Sequence, residues 1–127
     1  MITKEQKRAA YALENIQILF NNLNKETANF LVGLPTMILV NGLGQSMAFL
    51  LSKKDKDMKY ENGFIVIKNW LIKEDNNFNT QDEKDFLKKF TDLEPIKYIN
   101  LQKEVLAMLL WLKRYARAFQ QPETQEE

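Results

Sequence analysis

Three cations, Lys113, Arg114 and Arg117, fall within about one helical turn of one another near the end of the segment 104–119. Eight of the nine residues from Glu104 to Leu112 are apolar. A helix buried along one side and ending in fixed cations presents positive charge, and the chemistry this suits is binding of anions, phosphates above all. Lys103 and Arg114 are eleven residues apart, about three turns, so Lys103, Arg114 and Arg117 share a face with Lys113 beside them. The helix itself supplies a competing explanation, because cations near a C-terminus complement the macrodipole by about 0.3–1 kcal/mol each. Lys53 and Lys54, closing an earlier helix, admit the same explanation. Lys4, Lys7 and Arg8 do not, because they occupy the first turns of the first helix, where the dipole disfavours cations. They need acidic neighbours or an anionic partner. Lys113, Arg114, Arg117, Lys53, Lys54, Lys7 and Arg8 are therefore the candidate phosphate contacts, with a merely solvated surface as the alternative.

Other chemistries find little support. The chain has no cysteine and no histidine, which removes disulfides, thiol nucleophiles, the commonest zinc ligands and the commonest general base near neutral pH. Asp82, Glu83 and Asp85 cluster, as do Asp55 and Asp57, but at a helix start and in a charged loop, where acidic residues serve the dipole. A hydrolase using Asp82, Glu83 or Asp85 with a divalent metal is a distant rival. Gly42-Leu-Gly44 has neither a strand before it nor Lys-Ser/Thr after it, so it matches no nucleotide-binding loop and is better explained by close helix packing. The expectation is a protein that is not an enzyme and uses no cofactor or metal. No aromatic β-platform or G-x-x-G clamp points to base-specific RNA recognition. Tyr11 and Tyr115 are the aromatics interleaved with the cations, so any nucleic acid is expected to be held through its backbone, with strong salt dependence.

The elements that position these residues are helical. The 127 residues suit one domain, and 45% hydrophobic with 28% charged residues is ordinary for a soluble globular protein. The expected fold is all-α: a single-domain bundle of about five to six helices around a buried central helix, spanning 1–121, followed by a flexible acidic tail, 122–127. Thr3-Lys-Glu-Gln6 has the form of a capping box, and Ala9, Leu13, Ile16, Phe20 and Leu23 make one apolar stripe. Lys4, Lys7, Arg8 and Tyr11 follow the same spacing on another side. A short helix is expected over 26–32, then punctuation at Gly33-Leu34-Pro35, then the central helix from Thr36 to about Lys53, with Asn41 and Gln45 on one face. Helices are expected over 60–73 and after Thr80-Gln-Asp-Glu83, which has the form of a second capping box. Pro95 opens a short turn with Tyr98 and Ile99, and Asn100 is the expected N-cap of the last helix.

Charge is uneven along the chain. Residues 1–60 carry 8 Lys/Arg against 5 Asp/Glu, 61–94 carry 5 against 8, and 95–120 carry 5 against 1. The net charge is +1. Basic ends around an acidic middle fit a polyanion partner or a scattered solvated surface. The first ten residues lack an apolar run, and the uncharged stretch 27–52 carries too many polar groups for lipid contact, so a cytoplasmic protein with no membrane partner is expected.

Three stretches resemble a known family: Leu34-Pro35 with Asn41-Gly-Leu-Gly-Gln45 and Ala48-Phe-Leu50; Tyr60 with Trp70-Leu71; and Glu104 to Ala116 with its Trp111-Leu-Lys-Arg block. In that order and spacing they resemble the small subunit of the type III-B CRISPR (Cmr) RNA-guided effector complex, over nearly the whole chain. The resemblance implies an all-α, non-catalytic protein whose copies stack along a curved ribonucleoprotein filament beside other Cmr subunits. It also implies a basic surface facing guide and target RNA in antiviral defence. Lys113, Arg114 and Arg117 match the family's basic cluster on the last helix, Lys53 and Lys54 the basic end of the central helix, and Lys7 and Arg8 the basic first helix. A pure assembly scaffold, with its cations paired to acidic partner surfaces, is the alternative.

Overall fold

The computed structural model describes residues 1–122. The expected tail falls almost wholly on 123–127, outside the described residues. Six α-helices and one 3-10 turn make up the fold, with no strand among the described residues: α1 (Lys4–Leu19), α2 (Lys25–Asn41), α3 (Leu43–Ser52), α4 (Met58–Glu74), the 3-10 turn (Asn76–Phe78), α5 (Glu83–Asp92) and α6 (Pro95–Ala118). α6 is the spine, and α1, α2 and α4 pack along it. It buries Leu101, Val105, Met108, Leu109, Leu112 and Ala116.

The capping box of α1 forms as the sequence predicts. The Gln6 N–H donates to Thr3 Oγ1 at 3.1 Å, and the Thr3 N–H donates to Gln6 Oε1 at 2.8 Å. Ile16, Phe20 and Leu23 are buried as expected. Tyr11 is not on an outward side with the cations: it is 8% exposed, packs on Trp70 at 4.8 Å, and donates its hydroxyl to the Val66 carbonyl at 2.6 Å. Burial pushes its phenol pKa up, with Glu14 adding to the rise.

The largest correction concerns the middle of the chain. No helix runs from Thr36 to Lys53. Pro35 lies inside α2, and the break comes at Gly42, whose φ of 85° and ψ of 161° suit glycine almost alone. A proline inside a helix costs about 3 kcal/mol. Leu31, Leu34 and Ile38 on either side of it are fully buried, at about 1.5–3 kcal/mol each, so burial outweighs the local cost. Asn41 and Gln45 consequently belong to different helices. α3 has no side-chain cap of its own. Its first donors are taken by α6 instead: the Leu43 N–H donates to Gln102 Oε1 at 2.9 Å and the Gly44 N–H to Tyr98 Oη at 2.7 Å. A Cβ on Gly44 would lie 3.2 Å from both Phe90 Cβ and Tyr98 Oη, so the expected close packing at this glycine is present.

Two further boundaries differ. α6 begins at Pro95, a favourable first helical position, and Asn100 sits within it rather than capping it. Tyr98, expected on a separate turn, is thereby fixed on α6 beneath Gly44. α5 is capped by Asp82, which accepts from the Lys84 N–H at 2.9 Å, and not by a Thr80–Glu83 box. Its Phe86 and Phe90 join Phe64, Phe78 and Tyr98 in an edge-to-face and tilted aromatic cluster that binds α5 to α4, the 3-10 turn and α6.

Candidate nucleic-acid interface

The fold sorts the candidate cations by what neutralises them. Arg8 is part-buried and held by two carboxylates. Its Nε and Nη2 each donate to Glu104 at 2.7 Å, and its Nη1 donates to Glu5 at 2.8 Å. These bonds hold the guanidinium charged, raising its pKa further against the opposing effect of burial. Burial pushes the Glu104 carboxyl up, but Arg8 outweighs it and the net shift is downward. Trp70 Nε1 also donates to Glu104, at 3.2 Å, so this one carboxylate joins α1, α4 and α6. Lys4 pairs with Glu74. Two of the three badly placed cations of the first helix thus have the acidic neighbours that the dipole demands. Lys54 likewise pairs with Glu83 at 3.0 Å, which raises its pKa.

Lys7, Lys53, Lys113 and Arg114 form no ion pair among the described residues. Lys113 and Arg114 stand beside Leu110, Trp111 and Glu5 around a shallow depression between α1 and α6. Among the described residues Glu5 is the one carboxylate there, and it already accepts from Trp111 Nε1 at 2.6 Å and from Arg8. Arg117 is oriented by neutral groups, Asn29 Oδ1 and Gln120 Oε1, each at 3.0 Å, and forms no ion pair among the described residues. The α6 end that carries it is tied down by the Gln121 N–H donating to the Leu23 carbonyl at 2.8 Å. Lys103, Arg114 and Arg117 are all exposed on the outer face of α6, and an exposed Leu110 lies among them. Lys7 stands with Lys4 and Lys73 around a groove between α1 and α4. Lys73 escaped the sequence reading because only folding brings it across from α1.

The carboxylate clusters are occupied locally. Asp82 caps α5, Glu83 holds Lys54, Asp85 meets Lys89 at 3.8 Å and Asp57 caps α4, while Asp55 is exposed on the turn between α3 and α4. Among the described residues no three acidic side chains converge on a metal-sized site, and no helix is long and apolar enough to cross a membrane.

Of the two aromatics expected among the cations, Tyr11 is buried instead, whereas Tyr115 stays between Arg114 and Arg117 in a ladder running from Trp111 to Phe119 with ring centroids 5.9 and 6.3 Å apart. A second group, Phe30, Tyr60 and Phe49, gathers from α2, α4 and α3 beside Lys53 and Lys59. These residues are up to thirty positions apart, so no local pattern marks them.

Residues 4–119 match the family model described as CRISPR-associated protein (Cas_Cmr5). No curated protein matches the chain.

Proposed function

Because the chain belongs to the CRISPR-associated Cmr5 family, and so is a subunit of the type III-B Cmr complex of CRISPR defence, we propose that it is a non-catalytic cytoplasmic part of that ribonucleoprotein. Its copies stack along the filament and contact the phosphates of the guide–target RNA through basic helix faces. The observation that carries this reading is the outer face of α6. Lys103, Lys113, Arg114 and Arg117 are carried there, and none of them forms an ion pair among the described residues. Cations left without an ion pair on a helix whose other face is locked into the core are preorganised for a polyanion. Lys53 and Lys7 extend the charge at other faces, whereas Arg8 and Lys54 are committed to Glu104 and Glu83 and serve the fold first. Each subunit supplies a few contacts and stacking multiplies them along the RNA.

A purely structural role in assembly has its own support. Leu39 and Val40 at the end of α2, and Ile96 and Ile99 at the start of α6, are exposed apolar side chains suited to protein neighbours. The two readings separate in an RNA–protein crosslinking map of the assembled complex. RNA contact through this subunit places crosslinks on the peptide that contains Lys113 to Arg117. A scaffold leaves that peptide free of RNA while protein–protein crosslinks mark the apolar ends.

A further inference from the structure

The loop joining α3 to α4 and the aromatic group beneath it carry a feature that the α6 face does not explain. The turn closes by the Lys56 N–H donating to the Lys53 carbonyl at 3.0 Å. Neither Lys53 nor Lys56 has a carboxylate within ion-pair distance among the described residues. Of the nearby acids, Glu83 is engaged with Lys54, Glu26 with Lys59 at 2.6 Å and Asp57 with the Lys59 N–H at 3.0 Å, while Asp55 lies exposed on the same turn and pairs with neither lysine among the described residues. Two ammonium groups are thus crowded on one turn without an ion pair among the described residues, and Lys56 lowers the Lys53 pKa accordingly. Lys53 Nζ lies 5.9 Å from the centre of the Phe49 ring, and Phe49 is 41% exposed. Behind Phe49, Tyr60 meets it edge-on at 6.2 Å and Phe30 meets Tyr60 edge-on at 5.3 Å, so the exposed ring is braced by the body of the protein. Lys59 Nζ stands 5.3 Å from the Tyr60 ring. A rigid exposed aromatic next to lysines without an ion pair is the combination by which proteins hold unpaired nucleotides, the base on the ring and the phosphate on the cation. A protein partner would need carboxylates matched to both lysines and would leave the aromatic ring without a specific role.

We propose that Phe49, Lys53 and Lys56 form a site for single-stranded RNA, in which an unpaired base stacks on Phe49 and the adjoining phosphodiester is held by the two lysines. This rests on the reading of the protein as an RNA-contacting subunit and adds to it a second, base-stacking contact away from α6. Unlike backbone contact alone, it distinguishes an unpaired strand from a duplex.

The test uses the full chain and two fluorescent probes of equal length at low salt: a twelve-nucleotide oligouridylate and an abasic sugar-phosphate chain. Stacking of one base accounts for about a five- to 150-fold change in affinity. The expected result is that Phe49→Ala weakens oligouridylate binding within that range and leaves the abasic chain unchanged. Lys53→Gln with Lys56→Gln weakens both probes. Phe49→Leu, which retains apolar bulk, guards against a packing defect and should lose uridylate affinity in the same way, with the helical circular dichroism of the unmodified chain. Equal loss on both probes, no loss on either, or no measurable binding by the unmodified chain overturns the proposal. So does a Phe49→Ala subunit that binds oligouridylate normally but fails to join the Cmr complex, which marks a protein contact. If Lys113→Gln with Arg114→Gln weakens RNA binding by the complex while Phe49→Ala is silent, this site fails and the α6 reading stands.

Discussion

Arg8 offers the clearest separation between a cation that builds the fold and one that meets a partner. Replacing it by Ala removes both 2.7 Å bonds to Glu104 and leaves a carboxylate whose side chain is only 13% exposed, with the Trp70 N–H as its remaining hydrogen-bond donor. Removing one partner of a fully buried pair costs about 3–5 kcal/mol. Water reaches a fifth of the Arg8 side chain, and Trp70 stays in place, so the cost here is about 2 kcal/mol. The lost Glu5 contact adds little, because Glu5 is 59% exposed. For a chain of this size the change amounts to roughly 8 °C in Tm. The pH dependence has a definite sign. In the unmodified chain Glu104 is held below the usual carboxylate range, so it contributes stability that is present above its unfolded pKa of about 4.3 and lost as pH falls through the folded value. In Arg8→Ala burial acts on Glu104 with far less opposition and its pKa rises. Protonation then relieves the buried charge, so the gap between the two proteins is widest near pH 7 and narrows below about pH 5. Urea unfolding followed by circular dichroism at pH 7 and pH 4.5 measures both quantities. RNA affinity of the complex, measured below the variant's Tm, should be unchanged. A loss under about 0.5 kcal/mol together with weakened RNA binding would refute the assignment of Arg8 to the fold.

Gly42→Ala should destabilise the protein by about 1–3 kcal/mol, because a Cβ is strained at φ 85° and ψ 161°; an unchanged urea midpoint would contradict this. Gly44→Ala gains helix propensity of about 1 kcal/mol but drives a Cβ to 3.2 Å from Phe90, and the expected net result is a loss visible as a lower Tm. Tyr98→Phe leaves the Gly44 N–H without its acceptor and should cost about 1–3 kcal/mol by urea unfolding, with faster amide exchange confined to the start of α3.

The elements most legible in the sequence are those stabilised by neighbours in the chain. The Thr3–Gln6 box, the α4 segment and the amphipathic α5 are local patterns, and they form as expected; of the first apolar stripe Ile16, Phe20 and Leu23 are buried, but Ala9 and Leu13 are only part-buried and α1 stops at Leu19. The family resemblance was legible too, from the Asn41–Gln45 and Trp111–Arg114 blocks. What eluded local reasoning depends on distant partners. Pro35 stays helical because three buried aliphatic side chains outweigh it. α3 needs no local cap because Tyr98 and Gln102 supply acceptors from 54 and 59 residues away. The pairing of Arg8 with Glu104 spans 96 residues, and the convergence of Phe49, Tyr60 and Phe30 crosses three helices. Charge counted along the chain therefore marked which residues are cationic, and only the fold separated Arg8 and Lys54 from Lys113 and Arg114.

The central claim, that the outer face of α6 holds RNA phosphates, is tested most directly by the salt dependence of target-RNA binding by the Cmr complex. The comparison is between complexes assembled with the unmodified subunit and with Lys113→Gln and Arg114→Gln together. Each phosphate contact contributes about 0.7–0.9 to the slope of log affinity against log salt concentration. The account predicts complete assembly, weaker binding at low salt, and a slope shallower by about 1.4–1.8 for each engaged copy of the subunit. An assembled complex with unchanged affinity and an unchanged slope would contradict it and leave the chain as a scaffold.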